Sequence, residues 1–214
     1  GFANYYSNMT EFTFGLYKPD SITVLQTTNP DTINYFYNWV GFQAQNAEQA
    51  FIGGAEFSFN SMGKIGEVDL TTLLGYTYMY PISLNKDSIY KLSFSDPSTN
   101  MLKYRFNHMA KADIQATYKA FSIGISSRYN SYMKNIDRVF EDGVLGEELL
   151  VGMANYRSVF NKGVAVFDAR FGYQINEAFK VNFIANNLFN KEYVSRPGDV
   201  QAPRNFILQM QLAL

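Results

Sequence analysis

Along most of this chain apolar and polar residues alternate with a period of two, the pattern of a strand whose two faces meet different surroundings. The last segment is the clearest, with Phe206, Leu208, Met210, Leu212 and Leu214 interleaved with Ile207, Gln209, Gln211 and Ala213. From Val164 to Ile175, Ala165, Phe167, Ala169, Phe171, Tyr173 and Ile175 oppose Val166, Asp168, Arg170, Gly172 and Gln174, so charge falls on one side only. The same design recurs in Phe121–Asn130, in Ala110–Tyr118, in Phe51–Phe59 and in Val68–Tyr78. Eight strands are predicted, near residues 2–14, 41–60, 67–80, 101–118, 120–134, 160–175, 179–190 and 203–214. In the first, Tyr5 and Phe12 have opposite parity, so a bulge near Met9 is expected if both face one side.

The connections alternate between long and short. Long ones follow the first strand, Pro81, Asn135 and Lys191; short ones fall at Asn60–Lys64, Tyr118–Ala120 and Asn176–Glu177. An up-and-down transmembrane barrel sorts its loops in this way, with short periplasmic turns and long extracellular loops. The predicted fold class is therefore all-β: an antiparallel up-and-down transmembrane β-barrel wall. Its Phe, Leu, Ile, Ala and Tyr face would meet lipid, and its Ser, Gly, Asn and Gln face the lumen. Tyr76, Tyr78 and Tyr80, with Trp39, approach long loops and would form one interfacial belt. Tyr118, Phe121 and Tyr173, beside short turns, would form the other.

Composition sharpens this. Aromatic residues are 17% of the chain, 16 Tyr and 19 Phe against one Trp, and charged residues are also only 17%, below the usual quarter. No run approaches the roughly 18 apolar residues of a membrane helix, so any crossing is made by strands. With 18 Lys and Arg against 19 Asp and Glu, there is no basic excess to suggest a nucleic-acid partner. Cysteine is absent and His108 is the single histidine, which removes thiolate zinc sites and disulfides, leaves a triad no second histidine, and suggests no cofactor. His108 is expected on a strand near the outer rim. The acid pairs Glu141-Asp142 and Glu147-Glu148 read as a hydrophilic loop tip, and no phosphate loop follows any strand. No enzyme is expected.

The stretch Asn187-Leu188-Phe189-Asn190-Lys191-Glu192-Tyr193, followed by Pro203-Arg204-Asn205-Phe206, resembles the terminal signature of TonB-dependent outer-membrane receptors. A second stretch, Asn46-Ala47-Glu48-Gln49-Ala50-Phe51-Ile52-Gly53-Gly54-Ala55-Glu56-Phe57, is similar to that family's Asn-x-x-x-Ala-x-x-x-Gly-x-Glu strand. The resemblance implies that residues 1–214 are the C-terminal eight strands of a twenty-two-stranded barrel around a plug. It implies the bacterial outer membrane, and energy-coupled import of a siderophore or other scarce solute. Partners would be membrane lipid, the plug and N-terminal strands missing here, TonB through that N-terminus, a small-molecule or peptide substrate and a surface lipoprotein lid. The opening at Gly1, already strand-like and without a leader, is read as a start inside a longer protein.

Charge on a strand's polar face must be paired, hydrated or set against a plug. The lumen-facing candidates are Glu56, Lys111, Asp113, Arg128, Asp168 and Arg170, serving wall, plug seat or substrate. Trp39 and Tyr156 are loop candidates for ligand contact. Two alternatives stay open. One is a complete small eight-stranded structural or adhesion barrel, which would pair the first strand with the last. The other is a soluble β-sandwich, which would bury the apolar face between sheets.

Overall fold

A computed structural model describes residues 1–16, 40–46, 49–86, 88–144 and 146–213. Trp39 lies outside the described residues, as does Leu214. The strands are β1 (Phe2–Tyr6), β2 (Thr10–Leu16), β3 (Val40–Asn46), β4 (Ala50–Ile65), β5 (Val68–Ser83), β6 (His108–Tyr118), β7 (Phe121–Asn130), β8 (Val164–Gln174), β9 (Phe179–Asn186), β10 (Val194–Arg196), β11 (Asp199–Val200) and β12 (Asn205–Leu212). Among the described residues three short helices interrupt the loops: α1 (Ser88–Lys91), α2 (Val139–Asp142) and α3 (Met153–Val159).

Eight strands form one antiparallel sheet in the order β1-β4-β5-β6-β7-β8-β9-β12. Each long strand pairs with its sequence neighbour, which is the up-and-down order. Register fixes the faces, because a slip of one residue would turn every side chain over. Phe57 lies opposite Tyr76, Ile114 opposite Ile125, Ile123 opposite Phe171, and Phe183 opposite Leu208, so the apolar sets of successive strands join in one exposed outer band. An exposed apolar face of this extent suits lipid and not water. β1 and β12 are the edges, each paired on one side only, so the sheet is open and the pairing required by a closed small barrel is not formed among the described residues.

Several expected boundaries move. The turn predicted at Asn60–Lys64 is strand, because β4 pairs with β5 as far as Ile65 opposite Val68. Gly66 and Glu67 make the turn, and Gly66 supplies the positive φ of 61° that a two-residue hairpin needs at its first central position. The strand predicted over 101–118 begins only at His108, since Met101 and Phe106 make isolated bridges inside a loop. The first predicted strand is two, β1 and β2, and 41–60 divides likewise into β3 and the start of β4. Tyr6 pairs with Ala50 and Thr10 with Asn46, a step of four on both sides, so the ladder breaks without inserting a residue and the conditional bulge near Met9 is not needed. Tyr5 and Phe12 consequently belong to opposite faces.

Loops sort as the sequence predicts. At one end lie the turns Gly66–Glu67, Lys119–Ala120 and 175–178; at the other lie the connections 84–107, 131–163 and 187–204, with the β2–β3 hairpin. Near the short turns the rings of Phe121 and Tyr173 sit 4.8 Å apart, and Lys119 caps Tyr118 at 5.0 Å. At the long-loop end Tyr76, Tyr78 and Tyr80 are exposed on the outer face, and the Tyr76 hydroxyl lies 2.8 Å from Nδ1 of His108. His108 therefore belongs to this outer belt, as the first residue of β6.

The long loops are packed. Met133, Ile136 and Met153 form a small core, with Tyr104, Phe106, Phe140, Leu150 and Tyr156 against it. Phe42 of β3 stacks on Phe140 at 5.5 Å, and the Tyr90 hydroxyl donates to Glu11 Oε2 of β2 at 2.6 Å, fastening the hairpin to the loops. Glu141, expected at a solvated tip, instead accepts a hydrogen bond from Arg157 and is half-buried. The pairing is favoured because Arg157 is buried and would otherwise leave a charge uncompensated.

Candidate functional site

Period-two alternation places all six charged candidates, Glu56, Lys111, Asp113, Arg128, Asp168 and Arg170, on the face opposite the apolar band. The structure brings three of the inward positions together. Asp113 on β6 lies opposite Ser126 on β7, and Ser126 lies opposite Asp168 on β8, one step along from Arg170. Arg170 reaches diagonally over β7 to Asp113 with bonds of 2.8 and 2.9 Å, one to each carboxylate oxygen, and donates to Ser126 Oγ at 2.7 Å. Ser126 in turn donates to Asp113 at 2.5 Å. Gly124 makes the reach possible, since a Cβ there would stand 2.7 Å from the guanidinium. This fork-to-fork geometry fixes direction as well as charge. It staples three strands across the polar face.

Asp168 has a different role. Arg128 approaches it at 3.5 Å, and its other oxygen accepts the Asn187 backbone N–H at 2.7 Å, joining β8 to the end of β9. Lys111 lies opposite Arg128 and across Gly75, where a Cβ would come within 2.8 Å of its side chain. Glu56 lies opposite Thr77 and has no ion pair among the described residues. Among the described residues no cluster of His, Asp and Glu could hold a metal.

Above this ladder, the loops and the inward ends of β7 and β8 line a small cleft of about 90 Å³ that opens to solvent. Arg128, Tyr132, Met153, Tyr156, Arg157 and Tyr193 are among its walls, so the strand candidate Arg128 and the loop candidate Tyr156 meet in one cavity. Tyr156 is partly committed to structure: its ring packs on Phe160 at 4.8 Å and its hydroxyl accepts the Val194 N–H at 3.2 Å. Burial pushes its phenol pKa up, keeping it neutral. Arg157 is more fully committed, to Glu141, to the Met133 carbonyl at 3.0 Å and to the Tyr132 ring at 4.5 Å. Arg128, on an exposed side chain with one long ion pair, is the freer cation.

The terminal motif acquires a physical reason. Asn187, 4% exposed, adopts a positive φ of 50° and closes the connection 187–204 with its side chain. Its amide donates to the carbonyls of Lys191 and Ala202 at 2.8 and 3.2 Å and accepts the Lys191 N–H at 2.8 Å. Asn190, also at positive φ, accepts the Arg204 N–H at 2.9 Å. Asparagine tolerates this backbone region better than most residues. The separated halves of the motif are thus the two ends of one loop, tied together.

One sheet carries open antiparallel order, an apolar outer band and a charged inner face, with a cleft open to solvent at its loop end. Comparison with solved structures gives matches at probability 1.00 to the ferric-catecholate import receptor Fiu of Escherichia coli K12 (TM-score 0.56, 21% identity, 79% of this chain), the siderophore receptor PiuA of Acinetobacter baumannii (0.52, 14%, 77%) and the copper transporter OprC (0.52, 15%, 82%). These neighbours are TonB-dependent outer-membrane receptors. The chain has the fold of a TonB-dependent receptor's barrel wall. It spans 22%, 22% and 25% of the lengths of those three proteins. No known family profile matches the sequence, and no curated protein does. The receptors that share the fold are transporters of the bacterial outer membrane, and the exposed apolar band is what that location requires.

Proposed function

We propose that residues 1–214 are the C-terminal eight strands of a TonB-dependent receptor, the wall and mouth through which a scarce solute is imported. The observation that carries this reading is the inner-face ladder leading to a cleft lined by Arg128, Tyr132, Tyr156 and Tyr193. Cations and phenols around an open cleft suit an anionic, oxygen-rich solute such as a ferric siderophore. Fiu and PiuA are named for such cargo and OprC for copper. The outer edges of the sheet support a larger barrel, because in a bilayer every backbone N–H and C=O along them must be paired. Further strands and a plug would come from outside these residues, and the plug would be the element that TonB pulls. The wall performs no chemistry of its own, and the Asp113–Ser126–Arg170 staple holds it or seats the plug.

The test is uptake by cells carrying the native protein. Under iron limitation, a panel of labelled ferric siderophores is offered to the wild type, to a deletion strain and to cells whose inner-membrane proton gradient is collapsed. Uptake is expected only in energised wild-type cells, and Arg128→Ala should raise the half-saturating concentration by about tenfold, the loss of a charge-assisted contact. Passive, gradient-independent permeation would contradict the proposal, and favour a small structural barrel or pore.

A further inference from the structure

Below the Arg170–Asp113 staple, toward the short turns, the polar face carries a second hollow of about 210 Å³, against about 90 Å³ for the mouth cleft. Gln115, Ser122, Lys180, Asn182, Gln209 and Gln211 are among its walls. Register assembles it in rows. Ser122, Gly172, Asn182 and Gln209 lie abreast across β7, β8, β9 and β12, and Gln174, Lys180 and Gln211 lie abreast in the next inward row toward the turns. Gly172 is the floor. A Cβ there would stand 2.6 Å from Asn182 Oδ1 and 3.2 Å from Lys180 Cε, so it is a glycine that lets those side chains lean over β8.

Lys180 is half-buried, and its ammonium has no carboxylate partner among the described residues. Arg170, the other cation at the hollow, is already engaged by Asp113 and Ser126. Among the described residues that line the hollow none is acidic. One uncompensated cation therefore sits among neutral amides and a hydroxyl, groups that can each donate or accept. Asn182 and Gln209 hold each other only loosely, at 3.3 Å. An anion arriving here displaces no ion pair. Along β8 the hollow is well separated from the mouth, since Arg128 lies opposite Val166 and Lys180 opposite Gln174, roughly 26 Å apart at about 3.3 Å per residue.

We propose that this hollow is a transit station for an anionic, oxygen-rich solute, occupied after the solute leaves Arg128 and before it reaches the periplasm. Lys180 takes an anionic oxygen, and the amides of Gln115, Asn182, Gln209 and Gln211 exchange hydrogen bonds with the rest of the solute. Passage needs sites that bind well enough to be entered and weakly enough to be left. A single free ammonium among adaptable amides on an open face meets both conditions, whereas an enclosed cluster of cations would hold the solute too long. The station rests on the import reading above and adds a second site to it.

The experiment uses cells carrying the whole native protein and the labelled ferric siderophore that energised wild-type cells take up fastest. Binding is read in de-energised cells and the maximal uptake rate in energised ones. Lys180→Gln should leave the half-saturating concentration for surface binding unchanged and lower the maximal rate by about tenfold. Lys180→Arg should restore the rate, because it keeps the charge. Arg128→Ala should show the reverse split, with weakened surface binding. An unchanged maximal rate in Lys180→Gln, with wild-type uptake intact, would overturn the station and leave the import reading standing. Energised wild-type cells that take up none of the siderophores would overturn both. Gradient-independent entry of vancomycin into Lys180→Gln cells would make the hollow a plug contact, which also overturns the station.

Discussion

The same kind of interaction, an acid paired with a base, occurs in two parts of this molecule under opposite conditions. On the polar face of the sheet Arg170 and Asp113 are about one-third exposed, at 32% and 36%. In the loop package Lys103 and Asp137 are 2.7 Å apart at 1% and 2% exposure, with Tyr104 donating to the second carboxylate oxygen and Lys103 lying 5.8 Å from the Phe94 ring. The wall's covalent neighbours and ladder hydrogen bonds already fix its strands, so the exposed pair adds orientation more than energy. The loops have only a small apolar core. There a fully desolvated pair, with both carboxylate oxygens hydrogen-bonded, decides which arrangement forms, and losing one partner strands a charge.

The largest consequence should follow from Asp137→Ala, which leaves the Lys103 ammonium buried and alone. A loss of about 3–5 kcal/mol in loop stability is expected, read as proteolysis or hydrogen exchange in 93–107 and 131–157 while the strands stay protected. Replacing both partners, Lys103→Met with Asp137→Leu, should recover most of that loss. A double variant as damaged as the single one would break the comparison. Next comes Asn187→Ala, which removes three side-chain bonds from a nearly buried position; about 1–3 kcal/mol should be lost, seen as exchange confined to 187–204.

A smaller effect is expected from alkaline pH. Burial first, and then the Asp137 charge and hydrogen bond, raise the Tyr104 pKa above the ordinary tyrosine range. A raised folded pKa means that the contribution is complete below the unfolded value of about 10 and is lost as pH rises through the folded value. The loops should loosen only above that range, while Tyr104→Phe should lack the dependence. Loosening at neutral pH would contradict it. Arg170→Ala should be the mildest, about 1 kcal/mol or less, with unchanged heat-modifiable migration of the barrel. A loss as large as that of Asp137→Ala would mean that the lumen pair is effectively desolvated, by a plug for example.

The division between wall and loops also explains what could be read from sequence. Strand faces were legible because lipid on one side and water on the other impose period two, and the six charged positions followed directly. Tyr118, Phe121 and Tyr173 were placed beside the short turns for the same reason. Asn60-Ser61-Met62-Gly63-Lys64 has turn-like composition, yet these residues continue the ladder opposite Asp69–Leu73, and the turn falls at Gly66–Glu67. Arg157, Asn135 and the Lys103–Asp137 pair were not found. Their partners lie far along the chain, no period links them, and a buried lysine has the same letter as an exposed one. Asn135 illustrates this: fully buried, it accepts the Asp96 N–H at 2.7 Å and donates to Thr99 and Met101 at 2.9 Å each. A run of polar residues between strands gives no hint of that network.

The central claim is that this sheet is one part of a larger, plugged barrel. The most direct test is the intact mass of the native protein extracted from outer membranes, with peptides mapped upstream of Gly1. A polypeptide several times longer than this 24.4 kDa chain, with plug-like sequence ahead of it, is the predicted result. A free 24.4 kDa protein with β1 cross-linkable to β12 would contradict it, and would make the chain a small closed barrel.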